Sequence, residues 1–129
     1  MFFLTAMKSK PRVIAIVDDD EPLREALASV LKADGYAVAA FHSAEDFLGS
    51  EDWRGASVLL LDVRLPGMSG VELQLHMLSL ENKMPIVFIT GHGDSALRDV
   101  LLGAGASAFL NKPVRSEALL SAIRTALDS

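Results

Sequence analysis

Five short apolar segments alternate with amphipathic segments along the 129 residues, and this alternation restricts the possible folds more than any other feature of the chain. The apolar segments comprise residues 13–17, 37–41, 58–61, 86–89 and 108–110. Three of them are continuously hydrophobic, which is typical of strands buried on both faces of a parallel sheet. Segment 37–41 is the weakest of the five and predicts an edge strand.

Apolar residues recur at helical spacing in the segments between the predicted strands. The residues that mark the first, third, fourth and fifth helices are Leu23, Leu27, Val30 and Leu31; Val71, Leu75 and Leu78; Leu97, Val100, Leu101 and Ala104; and Leu119, Leu120, Ile123 and Leu127. Pro22 suits the first turn of the first helix, and Gly35 follows as its C-terminal stop. Ser43 and Ser116 are the predicted caps of the second and fifth helices.

A strand–helix unit repeated five times predicts an α/β fold, a doubly wound parallel five-stranded sheet with helices on both faces. The expected architecture is flavodoxin-like, (βα)5, with strand order 2-1-3-4-5. We expect one domain over residues 12–128, preceded by an N-terminal tail at residues 1–11.

The composition excludes several classes of function. The formal net charge is −5 and no cluster of Lys and Arg is present, so direct nucleic-acid binding is not expected. There is no cysteine, which rules out disulfides, thiolate metal sites and a cysteine nucleophile. No apolar stretch is long enough for a membrane segment, and we expect a cytoplasmic protein.

Polar residues follow the predicted strands at the edge of the sheet where ligands of open α/β folds bind. Strand 1 is followed by Asp18-Asp19-Asp20-Glu21, and strand 3 by Asp62. Strand 4 ends in Thr90-Gly91, and strand 5 in Asn111-Lys112-Pro113. Because strands 1 and 3 are neighbours in the flavodoxin-like order, their carboxylates would share one small pocket.

Carboxylates this close repel one another unless a cation joins them. Mg²⁺ prefers oxygen ligands and is typically held by one or two carboxylates plus phosphate oxygens. The cluster therefore predicts an open Mg²⁺ site in which a carboxylate acts as a nucleophile toward a phosphoryl group. Lys112 and the hydroxyl of Thr90 are placed to hold the transferred oxygens.

Each of these residues also has an ordinary interpretation when it is considered alone. The acids after strand 1 suit the N-terminus of a helix, and Asp62 suits a turn before Pro66-Gly67. Thr90 is an unremarkable strand end, and Lys112 alone would be a solvated charge. Their joint placement at the carboxyl ends of four strands favours the functional interpretation.

Four segments resemble the receiver domain of two-component response regulators: residues 16–24, 61–70, 89–93 and 109–113. The resemblance extends over residues 12–128. Within the family, the sequence is most similar to FixJ-type receivers, with which it shares the patterns Asp-Glu-Pro-x-Arg and Thr-Gly-His-Gly-Asp.

The resemblance implies that Asp62 is the phosphoacceptor. It implies a Mg²⁺ cofactor bound by Asp19, by Asp62 and by the backbone carbonyl of Arg64, with Asp18 helping through water. Asp20 and the acid that follows it are assigned no metal role.

The resemblance also implies a switch. Thr90 and Lys112 would contact the phosphoryl group, and Thr90 and Phe109 would be the switch residues. The Lys112-Pro113 peptide bond is expected to be cis. The chain departs from the family at Val114, where Phe is common, and at Phe109, which replaces Tyr and has no hydroxyl.

The partner implied is a sensor histidine kinase or a histidine phosphotransfer protein. A second copy, in a phosphorylation-dependent homodimer, is a further candidate partner. The domain would catalyse only its own phosphorylation and dephosphorylation and is not expected to be an enzyme otherwise. Arg64 and His92 would influence how readily water attacks. Signals would leave through the face formed by helix 4, strand 5 and helix 5.

Three other functions remain open on the sequence. A phosphohydrolase of the haloacid-dehalogenase type would need a second acid where Arg64 stands. A flavodoxin-like cofactor binder would have to place phosphate beside Asp18, Asp19 and Asp20, which would repel it. A degenerate receiver could act as a passive interaction module, although every required residue is present.

Overall fold

The computed structural model describes residues 10–91 and 95–128 and contains a five-stranded parallel sheet in the order β2-β1-β3-β4-β5. The strands are β1 Val13–Val17, β2 Ala37–Phe41, β3 Val58–Asp62, β4 Ile86–Thr90 and β5 Ala108–Asn111. The predicted flavodoxin-like topology is confirmed, and β2 lies at an edge. Residues 1–9, which make up most of the predicted tail, and His92 lie outside the described residues.

Three strands continue one residue further than the apolar segments indicated. The extra residues are Asp62, Thr90 and Asn111, and each keeps the parallel register with its neighbour. Hydrophobic runs mark where a strand is buried, whereas backbone pairing continues into the first polar residue. The polar side chains are therefore held by the sheet itself.

In the described part of the chain, five helices connect or follow the strands. They are α1 Glu21–Ala33, α2 Ala44–Gly49, α3 Gly70–Ser79, α4 Ser95–Gly103 and α5 Ser116–Asp128, and a 3₁₀ turn covers Trp53–Gly55. Within the described residues, no helix has the length and hydropathy needed to cross a bilayer.

Most of the predicted helix ends are correct. Pro22 lies in the first turn of α1, and Gly35 follows the helix with a φ of 95°. The side chain of Ser43 caps α2 as predicted. Ser116 is instead the first residue of α5, because the carbonyl of Arg115 already accepts the first helical hydrogen bond.

The sheet has one apolar layer on each face because successive strand residues point to opposite sides. α1 and α5 cover one face, with a core of Ile14, Ile16, Leu27, Leu31, Val58, Leu60, Val87, Ile89, Leu119, Ile123 and Ala126. α2, α3 and α4 cover the other face, where the core includes Val17, Phe47, Trp53, Leu59, Leu61, Leu73, Met77, Phe88 and Leu101. The carboxyl edge of the sheet is thereby left open.

Of the three apolar residues that mark α3, Val71 packs against the core, but the other two are exposed. Leu75 is 57% exposed and Leu78 is 50% exposed, whereas Leu73 and Met77 are buried against the sheet. Val100 in α4 is likewise 64% exposed. Apolar side chains occur on more than one side of α3, so helical spacing alone does not determine its buried face, and packing against the sheet does.

Gly70, the first residue of α3, fits tightly against the end of β3. A Cβ atom built on Gly70 would overlap the carbonyl oxygen of Asp62, and the amide of Gly70 donates to the carbonyl of Val63 over 3.0 Å. The start of α3 is thus held directly behind the Asp62 backbone.

We expect Gly70→Ala to lower the free energy of unfolding by about 1–3 kcal/mol, because the added methyl group meets backbone that cannot move aside. Gly103→Ala is the matched control, since a Cβ there meets nothing within 4 Å. Urea unfolding followed by fluorescence of the buried Trp53 would compare the variants. Equal stability of Gly70→Ala and the wild type would contradict the prediction.

Candidate functional site

Three aspartates converge at the carboxyl edge of the sheet. β1 and β3 are paired up to Val17 and Leu61, so the residues that follow them lie side by side. Carboxylate oxygens of Asp18, Asp19 and Asp62 all lie within 4.8 Å of one another. Asp18 and Asp62 are buried, whereas Asp19 is exposed. The site is closed toward the core and open toward solvent.

Lys112 places its ammonium group against this cluster. Its backbone amide donates to the carbonyl of Thr90 over 2.8 Å, which fixes the residue just beyond β5. Its Nζ atom lies 3.1 Å from Oδ2 of Asp62 and 3.7 Å from Oδ2 of Asp18. The Lys112-Pro113 bond is cis, as predicted.

The electrostatics of the pocket keep Lys112 protonated. Partial burial alone would lower the pKa of Lys112, but the hydrogen bond to Asp62 and the charges of the surrounding aspartates outweigh it. The pKa of Lys112 is therefore raised above its ordinary value. The pocket holds a permanent positive charge that can contact a dianionic group.

The surroundings of Asp18 favour a cation beside its carboxylate. Its Oδ1 atom accepts the Asp20 amide over 2.9 Å, but its Oδ2 atom is buried without a hydrogen-bond partner among the described residues. Burial, reinforced by the charge of Asp62, raises the pKa of Asp18 to about 6, although the Asp20 amide and Lys112 oppose the shift. A divalent cation would give the buried Oδ2 atom a partner and would stabilise the charged form of Asp18. The residues present therefore fit Mg²⁺.

The two oxygens of Asp62 have different neighbours. Oδ1 accepts the backbone amide of Arg64 over 3.1 Å, and Oδ2 accepts the Lys112 ammonium. The loop after β3 is thus bonded to the same carboxylate that faces Lys112. The role of the Arg64 carbonyl as a metal ligand stays a prediction.

The two predicted switch residues lie on adjacent strands. Thr90 is buried at the end of β4, where its hydroxyl donates to the carbonyl of Gly91 over 3.4 Å. Phe109 of β5 is paired in register with Phe88, and the two ring centroids are 5.4 Å apart. Phe109 is only half-buried, so its ring has access to both the core and the surface.

Two supporting side chains were not predicted from the sequence. The guanidinium of Arg24 donates to the carbonyl of Asp18 over 2.8 Å, which ties α1 to the acidic loop. Glu45 of α2 accepts the backbone amide of Met68 over 2.8 Å. Arg24 belongs to the Asp-Glu-Pro-x-Arg pattern, which could have indicated it, whereas no local signal links Glu45 to residue 68.

We expect Mg²⁺ binding to weaken as the pH falls through about 6, because the ion must displace the proton that buried Asp18 takes up there. Without metal, the folded state holds this proton more tightly than the unfolded chain. The stability from Asp18 is then present below 3.8 and is lost as the pH rises through about 6.

Calorimetric Mg²⁺ titrations above and below pH 6 would check the binding, and urea unfolding of the metal-free protein would check the stability. Asp18→Asn, which cannot lose a proton, is the control and should flatten both profiles. A Mg²⁺ affinity that is constant across this pH range would contradict the prediction.

Comparisons with known proteins identify the family of the chain. The family model described as "Response regulator receiver domain" matches residues 14–124. The chain is 45% identical over 121 residues to the response regulator protein TmoT of Ectopseudomonas mendocina, covering 94% of this chain and 55% of TmoT. It is 41% identical over 113 residues to the transcriptional regulatory protein FixJ of Rhizobium meliloti, covering 88% of this chain and 55% of FixJ.

Solved structures give the same result. The response regulator StyR superimposes with a TM-score of 0.84 at 40% identity, covering 92% of this chain and 60% of the StyR chain. The crystal structure of FixJ-N superimposes with a TM-score of 0.82 at 38% identity, covering 93% of this chain and 96% of that one. The chain spans about half the length of the curated relatives it matches. It belongs to the response regulator receiver domain family.

Proposed function

We propose that this chain is the phosphorylation-controlled switch of a two-component system and that Asp62 is its phosphoacceptor. The observation that carries the proposal is the position of the Asp62 carboxylate, held between the Arg64 amide and the Lys112 ammonium beside two further aspartates. Residues 12–128 would form the receiver domain, and residues 1–11 a tail.

Asp19, Asp62 and the backbone carbonyl of Arg64 would hold Mg²⁺, with Asp18 acting through water. When bound, the ion would neutralise the charge that the aspartates and the phosphoryl oxygens share. Two observations support this assignment: the buried Oδ2 atom of Asp18 has no hydrogen-bond partner among the residues that the structure describes, and the donor atoms are all oxygens. The single positive charge of Lys112 does not balance the three carboxylates of Asp18, Asp19 and Asp62.

In the proposed reaction, a carboxylate oxygen of Asp62 attacks phosphorus in line with the bond to the donor. A bond forms between this oxygen and phosphorus while the bond from phosphorus to the histidine nitrogen breaks. Lys112 and the Thr90 hydroxyl would hold the transferred oxygens. Later attack by water would release inorganic phosphate and restore Asp62, so the domain catalyses only its own phosphorylation and dephosphorylation.

Phosphorylation would shift a conformational equilibrium. It adds close to two negative charges and three acceptor oxygens, drawing Thr90 inward with Phe109 following it. Two charge-assisted hydrogen bonds contribute about 1.5–3 kcal/mol each, whereas a shift from 1:99 to 99:1 needs about 5.5 kcal/mol. Because Lys112 already bonds Asp62, part of this energy is present beforehand. We therefore expect a partial shift, read on the face of α4, β5 and α5.

The phosphoryl donor would be a phosphohistidine on a sensor histidine kinase or a histidine phosphotransfer protein in the cytoplasm. A homodimer formed on phosphorylation is part of the proposal. The domain itself would bind neither nucleic acid nor a membrane, consistent with its net charge of −5. Several relatives are transcriptional regulators, so an output domain elsewhere would act on DNA.

Incubation of the wild-type protein with acetyl phosphate and Mg²⁺ tests the proposal. Intact mass spectrometry should show one added phosphoryl group, absent when Mg²⁺ is chelated, and borohydride trapping should map it to Asp62. Absence of the added mass would overturn the proposal. Sustained turnover of p-nitrophenyl phosphate would instead favour a phosphohydrolase.

A further inference from the structure

The β3–α3 loop, residues 63–69, is held from outside by a side chain of α2. Oε2 of Glu45 accepts the amide of Met68 over 2.8 Å, across 23 residues of sequence. The same oxygen faces Gly67, whose φ is 73° and whose Cβ, if present, would lie 2.5 Å from it. The backbone of the loop therefore lies so close to Glu45 that only glycine fits at position 67 without a shift of the Glu45 side chain.

This loop also carries groups of the proposed metal site. The Arg64 amide donates to Oδ1 of Asp62, and Gly70 holds the far end of the loop against the backbone of Asp62. The Glu45 contact lies between these two points. A change in the position of residues 67 and 68 would therefore also move the Arg64 peptide group and the proposed phosphoacceptor, Asp62.

A favourable charge at the start of α2 is the ordinary alternative for Glu45. Asp46, the next residue, already provides such a charge and pairs with His42 over 2.7 Å. The hydrogen bond from the Met68 amide, the largest influence, lowers the pKa of Glu45 below its ordinary value. Glu45 is thus a charged acceptor directed at the loop.

We propose that Glu45 is a positioning residue for the metal site. By fixing the β3–α3 loop, Glu45 keeps Asp62 and the Arg64 carbonyl in a geometry that binds Mg²⁺. This inference rests on the proposed function. In this arrangement Glu45 would contact neither the ion nor the phosphoryl group and would act through the Met68 amide.

Three substitutions of Glu45 separate its hydrogen bond from its charge. Glu45→Ala removes both and should weaken Mg²⁺ binding about tenfold, the low end of the effect of outer-shell groups. Glu45→Asp keeps the charge but shortens the reach, and should also weaken binding. Glu45→Gln keeps an acceptor oxygen at full reach and should stay within about twofold of the wild type.

The measurements are the calorimetric Kd for Mg²⁺ and the rate of phosphoryl uptake from acetyl phosphate as a function of Mg²⁺ concentration. Slow uptake by Glu45→Ala should recover at saturating Mg²⁺. Asp46→Ala, which removes a charge from the same turn, should leave the Kd unchanged. Thermal unfolding of every variant distinguishes a loss of stability from a loss of positioning.

An unchanged Mg²⁺ Kd in Glu45→Ala overturns the inference, including when its melting temperature falls. Equal weakening by Glu45→Ala and Asp46→Ala, or wild-type binding by Glu45→Asp together with weak binding by Glu45→Gln, shows a charge effect and also overturns it. Failure of the wild-type protein itself to bind Mg²⁺ or to take up a phosphoryl group refutes the proposed function instead.

Discussion

Asp62→Asn should take up no phosphoryl group from acetyl phosphate, a loss of more than about a hundredfold relative to the wild type. The amide has the size and shape of the carboxylate but lacks its anionic oxygen, so the proposed nucleophile is lost without a change in side-chain volume. Intact mass spectrometry in saturating Mg²⁺ would measure the loss. Because one of the crowded negative charges disappears, Mg²⁺ binding should weaken as well.

Asp20→Asn is the matched control for this substitution. Asp20 lies in the same acidic loop but is exposed, and its side chain caps α1 by accepting the Leu23 amide. Asn caps a helix as well as Asp does, so stability should hardly change. The control should be phosphorylated like the wild type. Persistent labelling of Asp62→Asn, mapped to Asp18 or Asp19, would show that the nucleophile is misassigned.

Lys112→Met should change phosphoryl uptake and Mg²⁺ binding in opposite directions. The ammonium lies 3.1 Å from Oδ2 of Asp62 and 3.7 Å from Oδ2 of Asp18, where it competes with a metal ion for the same carboxylates. Its removal should therefore tighten Mg²⁺ binding. The transferred oxygens lose a cationic donor at the same time, and uptake should slow by about 10²–10³.

Lys83→Met, the same substitution at an exposed position before β4, controls for the change in net charge. Calorimetry gives the Mg²⁺ affinity, and the time course of mass labelling gives the rate. If both quantities fell together in Lys112→Met, Lys112 would be acting as a structural residue. Unchanged uptake would remove it from the phosphoryl-transfer site.

Local sequence patterns were sufficient to predict the strands and the convergence of the acidic residues at one edge of the sheet. Buried strands need apolar residues on both faces, so segments such as 58–61 are visible without any tertiary information. Once the strand order is known, residues at the carboxyl ends of neighbouring strands must meet. The sequence alone therefore predicts that Asp18, Asp62 and Lys112 lie together, and the structure confirms this proximity.

Local patterns are ambiguous about the buried face of a helix and about its exact start. Helical spacing in α3 marked Leu75 and Leu78, yet the sheet buries Leu73 and Met77. Serine is favoured both as the cap before a helix and in its first turn. The sequence therefore predicts Ser116 as the cap of α5, whereas Ser116 is the first helical residue. Packing against the sheet decides which face of α3 is buried, and the hydrogen bond from the Leu119 amide to the Arg115 carbonyl decides where α5 begins.

The alternation of segments, the absence of cysteine and the acids at strand ends are properties of the chain by itself, and they determined the fold class and the position of the site. Three features appeared only in three dimensions: the long-range contact of Glu45 with the Met68 amide, the close approach of Gly70 to the Asp62 backbone, and the buried Oδ2 atom of Asp18 without a hydrogen-bond partner in the described part of the chain. The reason is physical. Periodicity and strand order act over a few residues or through topology, whereas close approach, burial and unpaired polar atoms depend on how distant segments pack.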